Sequence, residues 1–549
     1  MVFLPLALLP LAFGLFAMNI QIFDIRVPFE HSEKDILAAL AAMTGMSPEE
    51  IGPFRIVRKS LDARGRRPPS WLYSIRFSAS REPAFIKETG KEVKYKITED
   101  ESPPGFAAVS PPEKRPVVIG CGPAGLFGAY ALASSGVPVL LLEKGRKIET
   151  RRRDVEAFWK EGLLEQDSNV HFGEGGAGAF SDGKLTTRVR SSFLDMIKKS
   201  LVDFGAPPEI LYDAKPHIGT DKLREVVGNF RRGLAGMGCE IRFGAKVTGI
   251  LAPRGVVEGL VVNGREEIPT GHILLAAGQS SPEVYRILEE IGADLEPKAF
   301  AMGLRIEHLQ ETINGIQYGA WSGLKGLPPA DYFLTAGPGG PARGVYSFCM
   351  CPGGCVIASS SEEGGVVTNG MSLHRRNGAY ANSAIVANVR PGDFGSASSL
   401  AGLEFRKFWE RRAFTAAGGD YRAPAQGLLE FLQDKYSGRV GHASYRPGVK
   451  PVPLRDVLPH FLTEALKQGL LRFGEKMPGF ISPEANLIGV ETRTSSPVRI
   501  TRREDGRSRN IAGLYPCGEG SGYAGGIMSS ALDGIRGAQA ILKNLEKKS

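Results

Sequence analysis

Alternating apolar and polar positions predict a small α+β domain over residues 18–97. Ser32 stands where a helix N-cap is expected, and Asp35 follows three residues later. The resulting β-α-β-β-(α)-β order is typical of a ferredoxin-like unit. The predicted elements are strands at 20–27, 53–61, 71–79 and 91–97 and a helix at 33–43.

The apolar leader of residues 1–17 carries no charge and precedes this domain directly. It lacks the basic region of a signal peptide, and it is shorter than the ~20 residues of a membrane span. Pro5, Pro10 and Gly14 interrupt it as well. We therefore favour Met18 as the natural start and 1–17 as a start-site artefact, with a membrane anchor or a cleaved signal as alternatives.

The clearest local pattern is a strand, a glycine-rich turn and a helix at the start of the main body. An apolar strand at 116–119 leads into 120–125 (GCGPAG) and then into a helix that runs to Ser134. A second apolar strand, 137–142, ends at Glu143. The G-x-G-x-x-G spacing in this context predicts a dinucleotide-binding Rossmann-like domain.

Each residue of the fingerprint has a physical role in such a domain. Gly120 permits the tight turn, Gly122 lets the backbone approach a pyrophosphate, and Gly125 lets the helix pack on the sheet. The helix N-terminus offers N–H groups to the phosphates, and Glu143 can accept hydrogen bonds from a ribose. We assign four further residues to the same site, namely Pro123, Ala124, Lys144 and Val247.

Two later segments favour FAD over NAD as the dinucleotide. The apolar run 272–278 is typical of the strand that closes an FAD domain over its cofactor, and 513–520 reads as a strand that ends in an acid. Glu519 stands where many FAD enzymes have Asp, and a final helix over 528–544 would direct its N-terminus at the flavin. The cofactor residues predicted here are Ala277, Gly278, Gly518, Glu519, Gly526 and Ile527.

This organisation gives an α/β fold class with three parts. A discontinuous FAD-binding domain occupies 115–297 and 491–549, and a mixed β-rich substrate domain with a helical block at 401–434 is inserted at 298–490. The N-terminal ferredoxin-like domain is joined through a linker at 98–114 that is rich in Pro, Ser and acidic residues.

Composition supports a globular protein that binds a large ligand. The chain has 549 residues and 69 glycines, which cluster at 173–178, 336–344 and 518–526. The net charge of +9 lies partly in short runs such as 151–153 and 502–503, which we interpret as solvated surface. Six cysteines in no disulfide pattern favour a reducing cytoplasm, and we expect neither a nucleic-acid nor a membrane partner.

Several motifs resemble the family of uncharacterised FAD-dependent dehydrogenases, also labelled NAD(P)/FAD-dependent oxidoreductases. The resemblance extends from about residue 18 to 545, and it implies FAD binding and an N-terminal ferredoxin-like domain but no known substrate. Residues 278–282 (GQSSP) depart from the Gly-His-Ser-Ala-Arg that is usual there. The matching segments are 169–178, 181–185, 216–221, 346–354, 369–372 and 491–499.

A glycine-rich loop at 173–185 is the second predicted cofactor contact, since such loops offer N–H donors without side-chain bulk. Its assigned residues are Gly175, Gly176, Ala177 and Lys184.

Cys349, Cys351 and Cys355 form a C-x-C-x3-C cluster that lacks a fourth metal ligand at the usual spacing, so we assign no metal. We favour a structural role for these thiols, and a redox role for Cys349 and Cys351 beside the flavin stays open.

Other polar residues within the motifs are weaker candidates. His171, His217 and His308 are interpreted as hydrogen-bonded packing residues. Arg305 and Arg493 could bind an anionic substrate or form ion pairs.

The sequence therefore predicts a two-electron flavoenzyme that passes a hydride between a small-molecule substrate and flavin. No second G-x-G-x-x-G stands between a strand and a helix, so the reductant either visits the same cavity, as NAD(P)H would as a transient donor, or comes from a partner, or is the substrate itself. An RNA-modifying flavoprotein and a non-catalytic, FAD-stabilised binding protein are the alternatives.

Overall fold

The computed structural model describes residues 18–64, 67–79, 93–98, 104–337 and 343–546. The predicted leader at 1–17 lies outside these residues, as do parts of the linker at 98–114 and of the glycine cluster at 336–344. None of the helices within the described ranges combines the length and the apolar character that crossing a bilayer requires.

The chain divides into two compact units. One comprises Met1–Pro103 with Pro208–Pro216, and the other comprises Pro104–Pro207 with His217–Ser549. The segment Pro208–Pro216, which the sequence placed in the FAD domain, groups with the first unit because its backbone pairs with Lys59. The Lys59 N–H donates to the Tyr212 carbonyl, and the Ala214 N–H donates to the Lys59 carbonyl, both at 2.8 Å.

The first unit is an antiparallel sheet with one described helix. Ile36 and Leu40 of the helix are buried together with the strand residues Ile22 and Phe77. The strand order β2-β3-β1-β4 is compatible with a β-α-β-β-α-β unit, whose second helix would fall in 80–92, outside the described residues. The ferredoxin-like assignment therefore stays a prediction. The elements are β1 (Met18–Pro28), α1 (Glu33–Thr44), β2 (Ile51–Asp62), β3 (Ser70–Ala79) and β4 (Tyr95–Ile97).

The second unit combines a five-stranded parallel sheet, an eight-stranded and mostly antiparallel sheet, and two smaller antiparallel sheets. Its helices are α2 (Pro123–Ser134), α3 (Ile148–Glu161), α4 (Phe193–Asp203), α5 (Thr220–Gly236), α6 (Pro282–Glu290), α7 (Gln310–Tyr318), α8 (Ala401–Ala416), α9 (Leu428–Leu432), α10 (His460–Lys476) and α11 (Ile527–Glu546). Its strands are β5 (Val117–Ile119), β6 (Leu140–Glu143), β7 (Glu240–Phe243), β8 (Val247–Leu251), β9 (Gly259–Val262), β10 (Glu266–Pro269), β11 (Ile273–Leu275), β12 (Leu295–Pro297), β13 (Phe300–Leu309), β14 (Thr335–Ala336), β15 (Val345–Ala358), β16 (Thr368–Ser372), β17 (Tyr380–Val389), β18 (Ala423–Gly427), β19 (Val449–Pro451), β20 (Asn486–Glu491), β21 (Val498–Ile500) and β22 (Leu514–Pro516).

Five parallel strands in the order β22-β11-β5-β6-β7 form the sheet that carries the glycine fingerprint. All residues of β5, β6, β11 and β22 are buried, which explains why these strands read as short apolar runs. On this sheet α2 and α11 cross closely, since a Cβ built at Gly534 would lie 1.9 Å from the Ala124 carbonyl oxygen. The first and the last helices of the second unit therefore pack against each other.

The eight-stranded sheet has the order β14-β15-β17-β13-β20-β18-β19, with β16 paired to β15. Its strands all lie between Phe300 and Glu491 in the chain. The central strand β13 is buried at every residue except Leu309, because β17 and β20 flank it. The prediction of one helical block over 401–434 is wrong over 417–427, between α8 and α9. β18 interrupts the block because Ala423–Gly427 pairs with β20 and β19, and Pro424 and Gly427 disfavour a helix there.

Two smaller sheets complete the second unit. β8, β9 and β10 form an antiparallel meander, and β12 pairs antiparallel with β21. Their buried residues Val247, Leu260 and Val498 belong to the same core cluster as the parallel-sheet residues Val117 and Leu140.

Candidate functional site

A single cavity lies at the carboxyl ends of β5, β6, β11 and β22, where ligands bind in open parallel sheets. All but two of the predicted cofactor residues line it, and the exceptions are Gly125 and Gly175. The lining residues from that prediction are Gly120, Gly122, Pro123, Ala124, Glu143, Lys144, Gly176, Ala177, Lys184, Val247, Ala277, Gly278, Gly518, Glu519, Gly526 and Ile527.

The turn between β5 and α2 has the glycine geometry that a phosphate loop requires. Gly120 has φ +100°, and a Cβ there would lie 2.4 Å from the Ala276 carbonyl oxygen. A Cβ at Gly125 would lie 1.8 Å from the Gly120 carbonyl oxygen, so Gly125 closes the turn rather than facing the cavity. Gly122 is the N-cap of α2, no side chain caps this helix, and Pro123 follows, which leaves first-turn N–H groups for an anion.

Glu143 links the fingerprint turn to the glycine-rich loop. Its buried carboxylate accepts backbone N–H groups from Cys121 and Gly145 at 2.8 Å and from Gly173 at 3.0 Å. The same carboxylate lines the cavity, and a carboxylate has more acceptor sites than these three bonds use. Glu143 is therefore placed to accept a further hydrogen bond from a ribose hydroxyl.

Lys144 beside it is held by acidic partners. Its Nζ lies 2.6 Å from the Glu283 carboxylate and 3.5 Å from that of Asp167, and it stands 3.3 Å from the centre of the Phe172 ring. These contacts neutralise the ammonium group at the edge of the cavity, so that it is a poor binder of a further anion.

A buried arginine donates hydrogen bonds to the backbone of the glycine-rich loop and of the residues just before it. Arg151 is fully buried, and its guanidinium donates to the loop carbonyls at 2.6–3.3 Å. The prediction that the run 151–153 is solvated surface is wrong for Arg151, because helix α3 turns this residue inward while Arg152 and Arg153 face outward. The acceptor residues are Asn169, Val170, Gly173, Glu174 and Gly176.

The two glycine loops meet face to face. The Gly175 N–H donates to the Cys121 carbonyl at 2.8 Å, so Gly175 holds the loops together from behind the wall. A Cβ at Gly176 would lie 2.9 Å from the Cα of Gly122, and both glycines line the cavity. Side chains at either position would fill the space between the loops.

The C-terminal wall is formed by the segment that follows β22. The Gly518 N–H donates to Asp533 at 2.8 Å, and the Glu519 carboxylate accepts from Gln279 Nε2 at 3.2 Å. Burial raises the pKa of Glu519 to about 7, against the attraction of Lys298 and Arg406. Gln279, which stands where the family has His, is therefore a structural partner of the predicted acid.

Of the three clustered cysteines, Cys349 lines the cavity. Cys351 is buried and does not line it, and neither does Cys355. Cys349 has φ +47°, which is uncommon for a side-chain-bearing residue. Lys184 Nζ hydrogen-bonds the Met350 carbonyl and lies 3.3 Å from Asp182. In the described part of the chain, no group of three His, Cys, Asp or Glu side chains is arranged to hold a metal ion.

The three histidine candidates have well-defined hydrogen-bond partners. Burial lowers the pKa of all three, to about 4 for His217 and His308 and well below the ordinary value for His171, so they are neutral at physiological pH. Only His171 lines the cavity. The partners are Ser359 Oγ for His171 at 3.0 Å, the His374 carbonyl for His217 at 3.0 Å and the Phe480 carbonyl for His308 at 2.7 Å.

Both arginine candidates form buried ion pairs. Arg493 donates to Glu410 at 2.8 Å, and Arg305 lies 3.6 Å from Glu491. Arg493 reaches the cavity wall, but its charge is neutralised there, and Arg305 lies outside the lining. The pairing therefore argues against either residue as the main anchor of an anionic substrate.

Several cavity residues were not assigned from the sequence, and four of them lie in motifs that could have indicated them. Asp182 accepts from Arg376 at 2.9 Å and, with Lys184 nearby, its pKa falls to about 2 in spite of burial. Phe348, Asn369 and Glu491 complete this part of the wall. Each lies within a segment that carried the family resemblance, which gave no role to single residues.

Known structures share only a remote likeness with the chain. A crystal structure of CtdE in complex with FAD is 14% identical, covers 78% of this chain and 84% of that chain, and has a TM-score of 0.31. A glycerol-3-phosphate dehydrogenase from Bacillus halodurans complexed with FAD is 11% identical over 79% of this chain and 65% of that chain, with a TM-score of 0.35. At these values the likeness says nothing about the reaction.

Sequence relatives are more informative. Residues 299–494 match the family described as "FAD-dependent protein, C-terminal domain-like", and residues 19–78 match a domain of unknown function, DUF8436. The first match confirms the prediction of FAD as the cofactor. An uncharacterized protein of Clostridium beijerinckii is 42% identical over 534 residues, which is 96% of this chain and 99% of the relative. The chain therefore belongs to the same family as this clostridial protein, a family of FAD-dependent proteins.

Proposed function

We propose that the protein is an FAD-dependent oxidoreductase that transfers a hydride between a small-molecule substrate and flavin. The observation that carries the proposal is one cavity in which an uncapped helix N-terminus, two facing glycine loops and a C-terminal acid meet. Bound FAD would supply two-electron chemistry, and the residues of the chain would bind and orient it.

The adenosine diphosphate part of the cofactor is assigned to the fingerprint end of the cavity. Gly122, Pro123 and Ala124 at the start of α2 would hold the pyrophosphate, with Gly176 and Ala177 on its other side. Glu143 would accept a hydrogen bond from the adenosine ribose, because its other bonds already fix the carboxylate in place. Lys144 and Val247 would flank that end.

The flavin is assigned to the other end, where Glu519 and the start of α11 line the wall. The N-terminus of α11 at Ile527 would stabilise negative charge on the reduced ring. Gln279 and Lys298 would adjust the protonation of Glu519, which in its neutral form can donate as well as accept a hydrogen bond.

The substrate would bind where the two large sheets of the second unit face the same cavity. Phe348, Cys349 and Asn369 come from the segment inserted between β12 and β21 and line the wall opposite the fingerprint. This arrangement supports the assignment of 298–490 as a substrate domain inserted into the FAD domain. NAD(P)H is proposed as a transient donor that enters the same cavity.

Anaerobic reduction of the purified holoprotein tests this proposal. NADH, NADPH and then a panel of metabolites are added separately while the flavin absorbance is followed. We expect FAD to co-purify or to bind on addition, and one donor to bleach it within the time of a catalytic turnover. The same mixtures with Gly122→Ala serve as the control, because that variant should retain less of the cofactor.

The outcomes separate the proposed classes of function. Bleaching by a nicotinamide identifies a reductase half-reaction, and bleaching by a metabolite alone identifies a dehydrogenase or an oxidase. Protein that binds no FAD, or whose bound FAD no donor reduces, would contradict the proposal.

A further inference from the structure

A pair of thiols stands at the wall of the cavity, and the proposed reaction does not use it. Cys349 lines the cavity and is partly accessible, whereas Cys351 is completely buried directly behind it. The Cys351 thiol donates a hydrogen bond to the Cys349 carbonyl oxygen at 3.3 Å, and the side chains of the two cysteines affect each other's pKa. The two side chains are therefore close to each other, although Met350 separates them in the chain.

The backbone of β15 is irregular at this pair of cysteines. Side chains two residues apart in a regular strand stand apart on the same face, but β15 has a register irregularity between Phe348 and Cys351. Cys349 occupies this irregularity in the left-handed region, at φ +47°. Buried Arg305 fixes the bend, since its Nη2 donates to the Cys349 carbonyl at 3.1 Å.

Two cations lie beside the pair. Lys184 is hydrogen-bonded to the carbonyl of Met350, the residue between the two cysteines, and Arg305 is bonded to Cys349 itself. The Nη1 atom of Arg305 is buried without a hydrogen-bond partner, and its nearest anion, Glu491, is 3.6 Å away. Both cations also have an acidic partner, Asp182 at 3.3 Å from Lys184 and Glu491 at 3.6 Å from Arg305, but their proximity still favours a negative charge on the Cys349 sulfur.

The pKa values of the two thiols move in opposite directions. The hydrogen bond from Cys351, together with Lys184 and Arg305, lowers the pKa of Cys349 to about 5 against the effect of burial. The same hydrogen bond and burial raise the pKa of Cys351. An accessible thiolate next to a protonated thiol is the arrangement found in reactive dithiols.

We propose that Cys349 and Cys351 form a redox-active dithiol/disulfide pair that exchanges an electron pair with the FAD bound in this cavity. The proposal rests on the proposed function, because the pair has no partner if FAD does not bind. Cys349 is the sulfur that faces the cofactor, and Cys351 is the sulfur that completes the disulfide.

The step balances within the holoprotein. In the oxidising direction both S–H bonds break and one sulfur–sulfur bond forms between Cys349 and Cys351. The two electrons and two protons that the thiols lose pass to oxidised FAD, which is thereby converted to its two-electron reduced form. In the reducing direction the same electrons and protons return from reduced FAD to the disulfide.

Cys355 provides a matched control in the same strand. It is partly buried against the core of the eight-stranded sheet, it does not line the cavity, and burial raises the pKa of its thiol to about 11. The variant Cys355→Ser removes a thiol of equal chemistry from the same peptide and should leave the redox pair unchanged.

The first experiment counts electrons. Air-oxidised holoprotein is titrated anaerobically with dithionite until the flavin and any disulfide are reduced. We expect four electrons per FAD for the wild type and for Cys355→Ser, and two for Cys349→Ser and Cys351→Ser, because each couple takes two electrons. Two electrons per FAD in the wild type would overturn the proposal.

The second experiment does not depend on activity or on folded variants. Oxidised wild-type protein is denatured in an alkylating reagent, and the tryptic peptide of residues 344–375, which contains all three clustered cysteines, is weighed. We expect one alkylated cysteine and the loss of two hydrogens, and in Cys355→Ser no alkylated cysteine with the same loss. Full alkylation, or a bond from Cys355, would overturn the proposal.

The two proposals fail in different ways. If the holoprotein binds FAD that a donor reduces, but takes only two electrons, the oxidoreductase stands and the thiol pair is rejected. If the protein binds no FAD, the oxidoreductase is rejected, and so is a thiol pair that depends on it.

Discussion

At the scale of single residues, Arg151 shows how a buried charge can order a ligand loop. Its guanidinium donates only to backbone carbonyls of 169–176, and no carboxylate is among those hydrogen-bond partners. The glycines of this loop have no side chains to hold its shape, so the carbonyls of Gly173 and Gly176 are anchored from outside. The order of the loop therefore depends on a residue that does not line the cavity.

We expect Arg151→Met to lower the free energy of unfolding by about 3 kcal/mol, because several buried carbonyls lose their donors at once. FAD content should fall with it, since the loop faces the cofactor cavity. Urea denaturation and the absorbance ratio of flavin to protein measure the two effects. Arg152→Met, which alters an exposed neighbour on the same helix, should change stability by less than about 0.5 kcal/mol, and an equal effect of both variants would contradict this role.

Glu519 gives a second test at this scale, through pH. Its pKa in the fold, about 7, lies above the ordinary value of 4.5, so the folded protein binds this proton more tightly than the unfolded chain. This contribution to stability is complete below pH 4.5 and is lost as the pH rises through 7. As the pH rises between those limits, we expect the stability of Glu519→Gln apoprotein relative to the wild type to increase by on the order of 3 kcal/mol.

Denaturation of the apoproteins at a series of pH values measures this difference. Glu258→Gln, which alters an exposed carboxylate, is the control and should follow the wild type. A wild-type curve parallel to that of Glu519→Gln would mean that Glu519 is ionised in the fold throughout this range.

Which residues could be predicted depended on whether their role is local. The fingerprint glycines and Glu143 were predictable, because turn geometry and the end of a strand are visible in neighbouring residues. The burial of Arg151 and Arg305 was not predictable, because the partners that stabilise these buried charges are not neighbours in the sequence. The same limit applies to Gln279, whose contact with Glu519 joins residues about 240 positions apart.

At the scale of elements, the β5–α2 turn separates glycines that face a ligand from glycines that close the fold. Gly122 has φ −81°, and a Cβ there would meet only the Cα of Gly176 at 3.8 Å, so the fold can accept alanine. A Cβ at Gly125 would stand 1.8 Å from a backbone oxygen that cannot move away. The two positions are three residues apart and should respond oppositely.

We expect Gly122→Ala to keep its stability within about 1 kcal/mol and to bind FAD at least about tenfold more weakly, because its methyl group enters the space between the loops. Gly125→Ala should instead lose about 3 kcal/mol or more of stability through overpacking. Thermal unfolding of the apoproteins and equilibrium titration with FAD measure both quantities. Similar behaviour of the two variants would show that the turn has no ligand-facing side.

Elements were predictable where they were short and apolar, and less so where partners decided them. Four strands of the parallel sheet, β5, β6, β11 and β22, have every residue buried, so their apolar runs were a reliable signal. The strand β18 was missed because Ala423–Gly427 has little strand propensity of its own and forms only by pairing with β20.

At the scale of the whole molecule, the described cavity residues all belong to one unit. None of them lies in Met1–Pro103 or Pro208–Pro216. We therefore expect a chain that begins at residue 104 to bind FAD with an affinity within about threefold of the full-length protein. Flavin fluorescence titration of both chains measures this, and a truncated chain that folds but stays colourless would contradict it.

The close crossing of α2 and α11 also bears on how the protein is made. These helices begin about 400 residues apart, and both are needed to build the walls of the cavity. On a ribosome that adds roughly 5–20 residues each second, the phosphate-binding turn therefore waits on the order of half a minute for the segment that packs over it. During that interval the exposed glycine face of α2 has no lasting partner, and the coenzyme can lock the structure only when synthesis is almost complete.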